Sequence, residues 1–167
     1  MTTHSGTRQP KEPFDFHAAP GHLIRRAQQI AVALFAEETA QFDVTPIQYA
    51  LLAELGQCPS LDQVTLAAHI AVDVATLGQV ASRLEERGLL VREADAEDRR
   101  RKLLVATAKG RALLAKINPQ VVIAQERILS PLSKHEQTDF CRLLQKLVRS
   151  NNEQSRAPMR RSGDALS

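Results

Sequence analysis

A chain of 167 residues, 43% hydrophobic and 25% charged, has the make-up of one soluble domain, or of one domain with an appended helical part. It holds no apolar run as long as a membrane span and no opening signal pattern, so a cytoplasmic address is expected. The net charge of +3 implies no polyanionic partner by itself, and two cysteines at unrelated spacing, Cys58 and Cys141, argue against a disulfide framework or a zinc finger.

Residues 1–19 are polar, carry Pro10 and Pro13 and show no helical period; they read as a flexible arm, anchored by Phe14 and Phe16. The first helix is predicted from about Gly21 to Gln41. Leu23, Ala27, Ile30 and Leu34, with Ile24, Ala31 and Phe35 beside them, recur there at helical spacing and make a face broader than one neighbour needs. Thr45-Pro46-Ile47-Gln48 supplies a capping threonine, a proline at the first helical position and a glutamine that closes the capping box. Helix two starts there and ends near Gly56. Ser60-Leu61-Asp62-Gln63 repeats the box and is expected to start helix three, with Val64, Leu66, Ala67 and Ile70. Asp73 caps helix four, and Gly88 after Arg87 stops it.

The runs Leu89-Leu90-Val91 and Leu103-Leu104-Val105 then read as two strands joined by a tip with four consecutive cations. Thr107 is placed to cap a fifth helix reaching roughly Leu129; Pro119 inside it removes one backbone bond and is expected to kink or divide it. Ser133-Lys134-His135-Glu136 opens a last helix with Phe140, Leu143, Leu144, Leu147 and Val148 in register, and residues 151–167 have the composition of a disordered tail. The order α-α-α-α-β-β-α-α predicts a mainly α fold with a small β-hairpin wing, a winged helix-turn-helix. Residues 45–107 would form the winged part, and helices at 20–41 and 108–150 would remain for dimerisation, within one unit spanning 20–150.

This layout points to DNA. Helices three and four meet across a few residues around Ala71-Val72, as in a helix-turn-helix whose second helix enters the major groove. On helix four, Leu77, Val80, Ala81 and Leu84 share one face, while Ala75, Thr76, Gln79, Ser82 and Arg83 share the other. Glutamine can bond adenine through two atoms, and a threonine methyl suits that of thymine. At the hairpin tip, Arg99, Arg100, Arg101 and Lys102 stand beside Asp95, Glu97 and Asp98. Acidic neighbours can hold one arginine in a fixed pose while the others reach for phosphate or a narrow minor groove.

Arg83-Leu84-Glu85-Glu86-Arg87-Gly88-Leu89-Leu90, Asp95-Ala96-Glu97-Asp98-Arg99-Arg100 and Thr107-Ala108-Lys109-Gly110 together resemble the MarR family of bacterial transcription regulators, and Ser133 and Glu136 fit that family's last helix. The resemblance covers about residues 20–150. Ala106 departs from it where leucine commonly precedes the threonine, and Gln79 where arginine is frequent. The resemblance implies a homodimer with interwoven first, fifth and sixth helices, reading a pseudo-palindromic operator in double-stranded DNA. It also implies repression that is relieved by a small molecule. Pro20-Gly21-His22-Leu23-Ile24-Arg25-Arg26-Ala27-Gln28-Gln29-Ile30 is similar to the branch that represses nicotinic-acid degradation genes. That similarity implies a small aromatic acid as effector, nicotinic acid or a hydroxylated derivative. Candidate contacts for it are His22, Arg25, Arg26, Gln29 and the single tyrosine, Tyr49: cations and amides for the carboxylate, flat groups for the ring.

Three other readings compete. A thiol sensor would use Cys58, beside Pro59 near the expected start of helix three. A ligand-independent architectural protein would bind DNA without any effector. An enzyme is not expected, because the chain lacks a nucleophile elbow, a phosphate loop and a dinucleotide fingerprint. The five histidines show no tight spacing with one another and no HExxH or CxxC occurs, so no resident metal or other cofactor is expected.

Overall fold

The computed structural model describes residues 14–160; the first part of the expected arm and the end of the expected tail lie outside the described residues. The elements are α1 (Pro20–Thr39), a 3₁₀ turn (Ala40–Phe42), α2 (Pro46–Gln57), β1 (Leu61–Asp62), α3 (Gln63–His69), α4 (Val74–Glu86), β2 (Leu90–Ala94), β3 (Lys102–Ala106), α5 (Ala108–Leu129), α6 (Lys134–Ser150) and a second 3₁₀ turn (Asn152–Gln154). Among the described residues no single helix is long and apolar enough to cross a membrane.

Local capping sets the helix starts. At α2 the Thr45 hydroxyl accepts the Gln48 N–H while the Gln48 side chain accepts the Thr45 N–H, and Ser133 and Glu136 do the same at α6. Asp73 caps α4 and Thr107 caps α5. Gly88 takes φ +69°, a conformation that costs a residue without Cβ little, and there the chain leaves α4 for β2.

Helix three departs from expectation at its start. Its cap is Asp62, whose Oδ1 accepts the N–H groups of Val64 and Thr65, and Ser60 plays no part in it. Leu61 and Asp62 pair antiparallel with Leu104 and Leu103, so the expected two-stranded wing is a three-stranded sheet in the order β1–β3–β2. A two-residue strand carries no period, which is why the sequence reads it as a helix start. β2 and β3 pair from Leu90 with Ala106 to Ala94 with Lys102.

Pro119 does not divide α5, which is continuous. Ala115, whose carbonyl loses its N–H partner, lies on the exposed side, while Ile117 and Val121 are buried with Phe35 and Val44. Burial on both sides of the proline outweighs one missing bond whose acceptor faces water. The expected disordered tail is also corrected in part. Asn152 closes a loop by accepting the Met159 N–H at 2.8 Å and donating to its carbonyl at 3.1 Å, and the Arg160 N–H donates to the Ala68 carbonyl on α3 at 2.9 Å.

The main core holds Leu51, Leu52 and Leu55 of α2, Leu66 of α3, Leu77 and Leu84 of α4, and Leu89, Leu90 and Leu104 of the sheet region. A second cluster of Phe35, Val44, Ile117 and Val121 joins α1 to α5, and Arg127 of α5 adds hydrogen bonds to Glu38 at 2.5 Å and Glu37 at 2.9 Å. α6 has no buried residue: Phe140, Leu143, Leu144, Leu147 and Val148 are exposed, as are Leu23, Ile24 and Ile30 of α1 and Val122 and Ile123 of α5. An apolar surface this extended on one protomer marks an interface.

Candidate nucleic-acid interface and effector region

The chain turns by 106° between α3 and α4, within the range of a helix-turn-helix. The turn is closed by the Val72 N–H donating to the Ala67 carbonyl, and it holds Ala71 at φ 55°, a left-handed conformation unusual for alanine. Asp73 then fixes the N-terminus of α4, its carboxylate accepting the Thr76 N–H at 2.9 Å and the Thr76 hydroxyl at 2.7 Å. The Thr76 hydroxyl and backbone hold the Asp73 carboxyl below its ordinary range, with added attraction from Arg156 in the folded tail.

The five residues expected to face DNA on α4 sort into two groups. Ala75, Gln79 and Arg83 are exposed at successive i, i+4 positions, and neither the Gln79 nor the Arg83 side chain makes a hydrogen bond or ion pair among the described residues. Thr76 is half-buried with its proton committed to Asp73, which leaves its methyl and lone pairs. Ser82 is half-buried and accepts from Arg92 Nη2 of β2 at 3.3 Å, while Arg92 also pairs with Glu85, so Ser82 helps brace the sheet against α4.

The wing tip sorts its cations in the same way. Asp95 Oδ1 accepts the Glu97 N–H, Asp98 Oδ1 accepts the Arg100 N–H, and the Arg101 N–H donates to the Asp98 carbonyl, so two aspartates shape the turn. Arg101 is the arginine held by acids, donating to Asp62 Oδ2 at 2.9 Å and lying 3.6 Å from Asp95 Oδ2. It therefore ties the wing to the cap of α3 while its side chain stays half-exposed. Arg99, Arg100 and Lys102 are exposed, and their side chains form no hydrogen bond or ion pair among the described residues.

Burial pushes the Asp62 carboxyl up, but hydrogen bonds from the Thr65 N–H and hydroxyl and from Arg101 together leave it below its ordinary range. Arg87, inside the family-like stretch, donates to the carbonyls of Asp43 at 2.6 Å and Phe42 at 3.1 Å, pinning the end of α4 to the chain before α2. Gly110 packs so closely on Leu89 that a Cβ there would meet the Leu89 carbonyl oxygen at 2.0 Å.

The expected effector contacts do not converge within one protomer. His22 is half-buried at the start of α1, its ring 4.5 Å from that of Phe16 and its Nδ1 3.4 Å from Arg25 Nη2. Arg25, Arg26 and Gln29 are exposed. Tyr49 packs beside Phe35, which lies 13 residues beyond His22, about 20 Å along the helix at 1.5 Å per residue. Its hydroxyl donates to Asn118 Oδ1 at 3.1 Å, and burial pushes that hydroxyl's pKa up. A cleft of about 280 Å³ that the sequence did not suggest lies between the end of α4 and the first turns of α5. It is lined by Arg87, Lys109 and Lys116 with Leu89 and Leu113 as apolar walls.

Cys58 ends α2 rather than starting α3, its N–H donating to the Glu54 carbonyl. It therefore does not stand at a helix N-terminus, the placement that the thiol-sensor reading drew on.

A helix-turn-helix with a wing, free polar and cationic groups on its second helix and wing tip, and helices left with bare apolar faces define a DNA-binding regulator built to pair. Comparison with known proteins gives the family. Residues 42–101 match the profile of the MarR family. The transcriptional regulator HosA of Escherichia coli O157:H7 is 36% identical over 120 residues, 69% of this chain and 89% of that protein. The HTH-type transcriptional repressor NicR of Pseudomonas putida is 31% identical over 150 residues, 90% of this chain and 95% of that protein. The solved structure of Bordetella bronchiseptica BpsR, whose DNA binding is regulated by 6-hydroxynicotinic acid, superposes with a TM-score of 0.77 at 32% identity, covering 81% of this chain and 96% of that one. The chain belongs to the MarR family of transcriptional regulators, DNA-binding proteins and not enzymes.

Proposed function

We propose that two copies of this chain form a repressor that grips a pseudo-palindromic operator and lets go when a small aromatic acid binds. The observation that carries the DNA part is the division of the cations. Arg87, Arg92 and Arg101 are engaged in hydrogen bonds to other elements of the fold, whereas the side chains of Arg83, Arg99, Arg100 and Lys102 are left free on the two elements that a winged helix sets against a duplex. The exposed stripes of α1, α5 and α6 supply the pairing surface. Two reading helices would then meet half-sites about 34–36 Å apart.

The effector reading rests on BpsR and on the groups near the joint between the winged part and the long helices. Because Tyr49 of α2 packs beside Phe35, about 20 Å along α1 from His22, a pocket using both sets would have to draw one of them from the second protomer. The Lys109–Lys116 cleft offers a carboxylate site within one protomer. Either site works by population shift: the acid favours a dimer whose two heads no longer fit successive major grooves, and its differential affinity sets the extent of release.

The experiment is a titration of the operator complex, followed by fluorescence anisotropy, with nicotinic acid, 6-hydroxynicotinic acid and benzoic acid. Release by a pyridine carboxylate in the micromolar-to-millimolar range supports the reading. An operator complex indifferent to all three acids would favour a ligand-independent architectural protein. Arg26→Gln and Lys116→Gln tell the two sites apart, since only the one holding the carboxylate raises the acid concentration needed.

A further inference from the structure

Glu54 and Cys58 stand four residues apart at the end of α2, on one face of the helix, and His69 is the last residue of α3. No spacing along the chain joins all three, since Cys58 and His69 are 11 positions apart and no metal motif connects them. The fold brings a carboxylate oxygen, the thiol sulfur and an imidazole nitrogen all within 4.8 Å of one another. His69 Nδ1 already lies 2.9 Å from Glu54 Oε1, and both side chains are more than nine-tenths buried.

We propose that Glu54, Cys58 and His69 form a binding site for one zinc-class divalent ion. Oxygen, sulfur and nitrogen from three side chains are the donor set of a four-coordinate zinc site with one position open, and bonds of about 2.0–2.3 Å put tetrahedral ligands roughly 3.3–3.8 Å apart. The present spacing therefore needs only side-chain adjustment. Cys58 is half-buried and its neighbours Pro59 and Ser60 are exposed, so the ion enters, and the fourth ligand sits, on the Cys58 side.

Electrostatics favour the same occupant. The carbonyl end of α2 and the Glu54 carboxylate put negative potential where a cation would sit. A coordinated metal ion deprotonates the thiol it binds, which completes the donor set. The site also has a mechanical consequence. His69 is four residues before Asp73, the cap of the reading helix, so an ion clamping α2 to α3 stiffens the turn that orients α4. This inference does not depend on the identity of the organic effector.

The test uses the full-length reduced protein and Co²⁺ as the spectroscopic probe, with Zn²⁺ as competitor. One Co²⁺ per chain should bind with a thiolate-to-cobalt charge-transfer band and tetrahedral d–d bands, both abolished by stoichiometric Zn²⁺. Cys58→Ser should lose the charge-transfer band, and His69→Gln should weaken Co²⁺ binding at least tenfold. Because His69 is buried and its replacement can disturb folding, Cys58→Ser at the half-buried position carries the decisive comparison: Zn²⁺ should raise the thermal midpoint of the parent chain and not of Cys58→Ser. Absence of saturable Co²⁺ uptake would overturn the proposal, leaving the Glu54–His69 pair as a structural brace only. So would a charge-transfer band that survives in Cys58→Ser and vanishes in Cys141→Ser.

Discussion

Arg101 and Asp62 join across 39 positions of sequence, with Arg101 Nη2 donating to Asp62 Oδ2 at 2.9 Å, so one carboxylate caps α3 through Oδ1 and anchors the wing through Oδ2. Neighbouring cations on one tip therefore have different duties, and substitution should separate them. Arg99→Ala with Arg100→Ala removes two free charges. It should weaken binding to operator and unrelated duplex alike and reduce the salt slope of log K by about 2, near 0.9 per phosphate contact. Arg101→Ala should change stability by less than about 1 kcal/mol, since the pair is half-exposed, while loosening the wing. Anisotropy titrations across a salt series make the comparison. A larger loss of slope in Arg101→Ala than in the double variant would show the assignments to be reversed.

The same carboxylate gives a pH signature. Asp62 is depressed in the folded chain relative to its ordinary value of 3.8, so it binds fewer protons folded than unfolded just below that value. Its contribution is fully present above about pH 5, declines as the pH passes the ordinary value, and is lost as the pH falls through the depressed folded value. Urea midpoints measured from pH 6 down to pH 3 should therefore fall more steeply for the parent chain than for Asp62→Asn. Parallel curves would mean that Asp62 carries no linkage.

Gly110 illustrates a motif residue demanded by packing. The first turn of α5 lies against the Leu89 carbonyl, which also accepts the Thr107 N–H at 3.1 Å. A methyl group at position 110 would force that backbone apart, since a contact of 2.0 Å is impossible. Gly110→Ala should cost about 3 kcal/mol or more, although alanine is the better helix former. Denaturant unfolding should show a lower midpoint with an unchanged m-value. A neutral result would mean that α5 can shift away from Leu89 freely.

The helices were legible because their signals are local: Thr45 with Gln48, Asp73, Thr107 and Ser133 with Glu136 each act within a single turn. The wing and the exposed stripe of α4 were legible for the same reason, through clustered charge and 3.6-residue periodicity. What escaped depends on contacts between distant positions. β1 exists because Leu61 and Asp62 meet Leu104 and Leu103, and Ser82 turns to the sheet because Arg92 reaches it from β2. The folded stretch after α6 is held by Asn152 on Met159 and Arg160 on Ala68, and its composition resembles that of a tail. Glu54 and Cys58 did carry a readable sign, a shared helix face, but their partner His69 becomes a neighbour only through the fold.

The last helix sets a prediction about assembly. α6 carries Phe140, Leu143, Leu144, Leu147 and Val148, all at least 40% exposed in the single protomer, and a helix with that stripe facing water would expose a large apolar surface. Burial of such side chains contributes about 1.5–3 kcal/mol each, so the five together far exceed what capping at Ser133 supplies. Leu143→Glu with Leu147→Glu places two carboxylates where a second copy should pack. Sedimentation should then shift from dimer to monomer mass, and operator affinity should fall by orders of magnitude because one reading head meets only one half-site. The winged part, whose core of Leu51, Leu66, Leu77 and Leu104 does not include α6, should stay folded by circular dichroism. A double variant that remains dimeric with full operator affinity would place the pairing surface elsewhere, on the exposed stripes of α1 and α5 alone.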